Sequence, residues 1–198
     1  MNFLAHAHLS GDDDKLMIGN FIADSVKGKK HKNYTEGIAN GIILHRKIDS
    51  FTDRHEIVKN SMSLIRSEYG KFSGIIIDIY YDHFLATKWD NYSTEPLNTY
   101  TKKVYSLLKR NFFILPARSQ RILPFMISQN WLGGYADTDE LKKVFYGMDR
   151  RTSNISGMRN AVDQLIENYD KLEEHFKEFY PQLQSYVESE TRLINNKD

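Results

Sequence analysis

Three stretches of this 198-residue chain set carboxylates, histidines and amides at helical spacing inside otherwise apolar sequence. In residues 73–89, SGIIIDIYYDHFLATKW, Asp78 and Asp82 stand at i and i+4, with His83 beside them. A helix puts that pair on one face. In residues 16–28, LMIGNFIADSVKG, Asn20 and Asp24 repeat the spacing, and in residues 34–53, YTEGIANGIILHRKIDSFTD, so do His45 and Asp49. Arg46 and Asp53 accompany the last pair. An unpaired carboxylate in an apolar interior takes up a proton rather than stay charged, so carboxylates and imidazoles gathered there point to a shared cation. For any one segment the polar groups are equally explained as caps or pairs between helices. Their recurrence on three helices favours a divalent metal.

Asp24, His45, Asp78, Asp82 and His83, joined by His6 or His8, are a mixed imidazole and carboxylate donor set for the core of a helical bundle. Such donors suit manganese, magnesium, iron or zinc rather than a soft metal. A cation held this way polarises a phosphoryl oxygen and acidifies water, which makes phosphoester hydrolysis the natural reaction class. The chain has no cysteine, which excludes disulfides, thiolate metal sites and a cysteine nucleophile. Lys27, Lys29, Lys30 and Lys32 surround His31 in a loop without acids, a patch suited to an acidic partner or a phosphate. Arg118, Arg121, Arg150 and Arg151 add basic surface, whereas His175, set among Glu173, Glu174, Lys177 and Glu178, reads as solvated.

Few helix breakers interrupt the elements that must position these groups: four prolines and eleven glycines, with apolar residues recurring at three and four spacing. That pattern specifies an all-α fold, and no composition shift divides residues 1–198, so the expectation is a single-domain helical bundle. A net charge of +1 offers no global attraction for nucleic acid or an anionic membrane. The N-terminal sequence has neither a basic leader nor a long apolar run, so a cytoplasmic protein is expected. The opening NFLAHAHL alternates like a strand, which would send His6 and His8 to opposite sides. Further expectations are a helix over 56–69 ended by Gly70 and a helix over 73–89. Pro116 and Pro124 should bracket a short helix that ends or kinks near the second, Thr138 or Asp139 should cap another, and Pro181 should divide the C-terminal helix.

NFLAHAHL at 2–9, GNFIADSVKG at 19–28, GIILHRKIDSFTD at 41–53 and DIYYDHFLATKW at 78–89, followed by WLGGYAD at 131–137 and FYP at 179–181, resemble the acyl carrier protein phosphodiesterase family. The resemblance runs along most of the chain. It implies an HD-domain-like, metal-dependent hydrolase that removes 4'-phosphopantetheine from holo acyl carrier protein, with manganese the first choice of metal. The order Asp82-His83 reverses the His-Asp of the HD superfamily. On this reading Asp24, His45, Asp82 and His83 hold the metal, while His6, Asn20 and Asp49 orient them or serve the structure. Asp78 or Asp82 orients the water, Arg46 meets the phosphoryl charge, and Lys27, Lys29, Lys30 and Lys32 guide the acidic carrier. Two other readings compete: an HD-type nucleotide phosphohydrolase, and a noncatalytic helical binding module whose inward polar pairs fix helix register.

Overall fold

The computed structural model describes residues 1–195, and among them every regular element is helical. The helices are α1 (Phe3–His8), α2 (Asp14–Ile22), α3 (Glu36–Arg54), α4 (Glu56–Tyr69), α5 (Ser73–Thr87), α6 (Leu97–Arg110), α7 (Ala117–Ser128), α8 (Trp131–Gly134), α9 (Thr138–Arg151), α10 (Ala161–Glu167) and α11 (Tyr169–Asn195). Short 3-10 turns at Ala23–Ser25 and Gly28–Asn33 connect α2 to α3. No described helix is long and apolar enough to cross a membrane.

Helix α5 is apolar on nearly every side, and such a helix belongs in the interior. Ile76, Ile77, Ile79, Tyr80, Tyr81, Phe84 and Leu85 are fully buried beneath α1, α4 and α11. Each large side chain so placed contributes about 1.5–3 kcal/mol. Helix α4 ends at Gly70 as expected, with φ +52° where a side chain would strain the backbone.

Helices α2 and α3 share the most extensive contact between elements. Gly19 and Gly41 face each other there, and neither can be enlarged. A β-carbon on Gly19 would lie 2.1 Å from the Ile38 carbonyl oxygen, and one on Gly41 would lie 2.3 Å from that of Leu16. This close approach sets Asn20, next to Gly19, against His45, one turn beyond Gly41.

Several local expectations are corrected. Residues 3–8 are a helix rather than an extended strand, because Asn2 caps Phe3 and the buried Asp82 carboxylate gathers the next backbone amides. Asp137, rather than Thr138 or Asp139, caps α9, and residues 131–134 turn as a short helix. Helix α7 runs through Pro124 and α11 through Pro181. Both prolines are exposed, and the helical residues around them are anchored: Leu123 and Met126 in one case, Phe176, Phe179, Tyr180 and Leu183 in the other. Packing of that face outweighs the roughly 3 kcal/mol that an internal proline costs. His175 is buried rather than solvated, with Nδ1 2.9 Å from the Ser61 hydroxyl, which also meets the Tyr81 hydroxyl at 2.7 Å.

Candidate metal centre

Four elements converge at one end of the α2–α3 pair. Helix α1 supplies His6, α2 and the turn after it supply Asn20 and Asp24, α3 supplies His45 and Asp49, and α5 supplies Asp78. A cavity of about 270 Å³ opens over them, with Phe3, Phe21 and Ile75 as its apolar wall.

The donors of His6, His45 and Asp49 lie within 4.8 Å of one another. Asp49 Oδ1 is 3.1 Å from His6 Nε2, and Asp49 Oδ2 is 3.1 Å from His45 Nε2. Asp24 Oδ1 approaches the same His45 nitrogen at 3.3 Å from the solvent side, its carboxylate 68% exposed. The two imidazoles stack with centroids 4.0 Å apart. Asn20 Oδ1 lies 3.0 Å from His45 Nδ1, while its amide nitrogen donates to the His6 carbonyl and the Ser10 hydroxyl. Separations of about 3 Å are those of neighbouring ligands around an ion bound at about 2.1 Å.

Charge in the cluster is arranged for a cation. Burial opposes charge on His45, yet Asp24 and Asp49 outweigh it and raise its pKa to about 9. Burial and the facing His45 lower His6 to about 4, against the pull of Asp49. Asp49 is held far below the usual carboxylate range: burial works the other way, but both imidazoles overcome it. Contact with His45 likewise lowers Asp24. Burial, with Asp78 and Asp49 nearby, raises Asp53 at the cavity edge. The residues fit a metal on one further observation: His45 Nε2, which faces both Asp24 and Asp49, is buried without an aligned hydrogen-bond partner. Orphaned ring nitrogens beside carboxylates are what a cation would satisfy.

Of the residues expected to ligate, His45 and Asp24 join this cluster and Asp82 and His83 do not. Asp82 is fully buried and accepts from the backbone amides of Leu4 at 2.8 Å, Asn2 at 3.2 Å and Ala5 at 3.3 Å. It therefore fastens α1, a six-residue helix too short to stand alone, onto α5. Burial pushes its pKa up to about 7, against the α-ammonium of Met1 and the three amides. His83 Nδ1 instead meets the Tyr135 carbonyl oxygen at 2.8 Å. Asp78 lines the cavity and accepts from the Met1 ammonium at 2.8 Å.

His6, offered as an added donor and then set with Asp49 among the orienting or structural residues, is with Asp49 one of the three clustered donors. The signal for Asp49 was its i+4 spacing from His45. His6 had no such partner in sequence: whether residues 2–9 are extended or helical, His6 and His8 diverge, and His8 turns away to the Tyr180 hydroxyl and the Tyr92 carbonyl. Arg46 Nη2 donates to the Val26 carbonyl at 2.7 Å, holding the turn that carries Asp24. Lys27, Lys29, Lys30 and Lys32 are exposed on and beside the Gly28–Asn33 turn.

The sequence of these elements is that of a known family. A model of the family described as acyl carrier protein phosphodiesterase matches residues 1–183. The chain is similar to a protein named acyl carrier protein phosphodiesterase from Photorhabdus laumondii subsp. laumondii, 32% identical over 96% of each chain. Proteins of the same name from Enterobacter sp. (strain 638) and Yersinia pestis are 33% and 32% identical, over 92% and 91% of this chain and 95% and 94% of their own. No solved structure matches it. Every element that contributes to the cavity lies within the matched residues, and the chain belongs to the acyl carrier protein phosphodiesterase family.

Proposed function

We propose that residues 1–198 act as one metal-dependent hydrolase domain that cleaves the phosphodiester of holo acyl carrier protein, yielding apo carrier protein and 4'-phosphopantetheine. The observation that carries this is the His6, His45 and Asp49 cluster in a chain of that family. Its donors suit a divalent, hard or borderline ion, manganese first, with magnesium, iron and zinc as alternatives. His6, His45 and Asp49 would hold it and Asp24 would complete the set. Once bound, it supplies a Lewis acid for a phosphoryl oxygen and acidifies water at that point. The HD-like kinship belongs to the same reading, supported by the helical frame and the donor types.

The protein's own groups take the remaining roles. Asn20 fixes the His45 ring, and Asp78, on the cavity wall, orients the attacking water. Asp78 also takes its proton. Water adds at phosphorus as the phosphorus–serine oxygen bond breaks, and the serine oxygen of the carrier leaves as a hydroxyl with the proton that Asp78 took from the water. Arg46, one residue from His45 and without a carboxylate partner among the described residues, places positive charge near the phosphoryl oxygens. Lys27, Lys29, Lys30, Lys32, Arg118 and Arg121 present a basic face to the acidic carrier protein. The reading places the enzyme in the cytoplasm with its substrate.

The test is the mass of holo carrier protein before and after incubation, with manganese and with chelator. Metal-dependent loss of one phosphopantetheine is expected. An unchanged mass alongside turnover of a nucleotide panel would transfer the site to nucleotide hydrolysis.

A further inference from the structure

A second concavity, of about 590 Å³, has a lining of its own, and the turn after α2 borders both. Asp24, Ser25 and Val26 are consecutive: Asp24 borders the metal centre, whereas Ser25 and Val26 line this groove. On α3, His45 belongs to the first cavity and Ile38, seven residues earlier and about 10 Å along the helix, to the second. Ile114, before α7, closes the opposite wall, and the Ser25 and Ser119 hydroxyls, 3.2 Å apart, tie that side to the Asp24 turn.

We propose that this groove binds the pantetheine arm of the substrate, so that the phosphodiester is held at the metal centre by its small arm while the carrier protein remains outside. The inference rests on the hydrolytic reading above. It follows from the two arms of the diester: one is a folded protein, too large for the groove, and the other is a slender neutral chain. That chain bears a geminal dimethyl group, a hydroxyl and two amides. The groove matches it in kind, with Val26, Ile38 and Ile114 as apolar surface and the side chains of Ser25, Asn33 and Tyr34 as neutral hydrogen-bonding groups. Its volume is that of a small-molecule site, about 300–1,000 Å³. Among its lining residues Lys30 is the one charged group, so an extended acidic segment would find little to neutralise it.

Calorimetric titration with pantetheine itself is the direct experiment, on the wild type, Ile114→Trp and Tyr34→Phe. Ile114 is 44% exposed, so the larger indole there fills the groove without disturbing the core. The wild type is expected to bind pantetheine, Ile114→Trp to bind at least tenfold more weakly, and Tyr34→Phe to lose affinity to a smaller degree. In steady state, Ile114→Trp should raise KM for holo carrier protein about as much as it weakens pantetheine. No binding by the wild type, or equal binding by all three proteins, overturns the assignment. A KM that rises in Lys30→Glu with unchanged pantetheine affinity in Ile114→Trp hands the groove to the carrier protein. Should the wild type bind pantetheine yet leave holo carrier intact, the groove stands and the hydrolytic reading falls.

Discussion

Asn20 Oδ1 sits 3.0 Å from His45 Nδ1, and this contact decides which nitrogen His45 offers to the cluster. An amide oxygen can only accept, so Nδ1 carries the proton and Nε2 faces Asp24 and Asp49. Asn20→Ala should weaken manganese binding by about 10–100-fold. Because its amide also holds the His6 carbonyl, the variant should unfold at a lower temperature. Calorimetric titration and a thermal melt check both; unchanged metal affinity would make Asn20 a residue of the fold alone.

Ligation and neighbourhood separate cleanly in a set of single substitutions. His6→Ala, His45→Ala and Asp49→Ala should each lower manganese affinity more than about 100-fold, whereas His83→Phe should stay within a few-fold of wild type. The measure is metal content after dialysis, with circular dichroism to confirm folding. A metal-free His83→Phe with wild-type helicity would return His83 to the ligand set.

Asp82 gives the fold a pH dependence. Its folded pKa of about 7 lies above the roughly 3.9 of an unfolded aspartate, so the folded state holds the extra proton between those values. Its contribution is fully present below about pH 4 and is lost as pH rises through about 7. Relative to Asp82→Asn, the wild type should lose stability across that window and level off above it. Urea midpoints at half-unit pH steps test this, and a flat difference would show that the α1 amides keep the carboxylate charged throughout.

Gly41→Ala should destabilise by at least about 1–3 kcal/mol, since the added methyl meets backbone rather than a movable side chain. Gly147→Ala, where nothing stands within 4 Å, is the matched control. Denaturant unfolding of the two compares them directly.

Charge reversal at Lys29 and Lys32 should raise KM for holo carrier protein several-fold and flatten its dependence on salt, with pantetheine affinity unchanged. Both side chains are exposed, so folding is spared. Equal KM and salt slope would move the carrier's docking face elsewhere.

The helical frame was legible because apolar periodicity in α3, α4 and α5 leaves little choice of partner face. The site was legible in part: spacing exposed His45, Asp49 and Asp24, but not which polar groups face the cavity and which face backbone. Asp82 shows why. A buried carboxylate beside a histidine has the same sequence signature whether it meets a cation or three amides, and only the placement of residues 2–5 distinguishes them. Pro124 and Pro181 failed as boundaries for a related reason. Local propensity signals a break, and the buried residues around each proline overrule it.

The fastening of α1 to Asp82 makes the place of His6 depend on α5. Six residues do not hold a helix by themselves, so the imidazole is kept in the cluster only while α1 stays docked on α5. Amide exchange at Leu4 should accordingly be no slower than that of the α5 interior, and faster in Asp82→Asn. A chain in which α1 is undocked keeps His45 and Asp49 together but loses the third donor of the cluster.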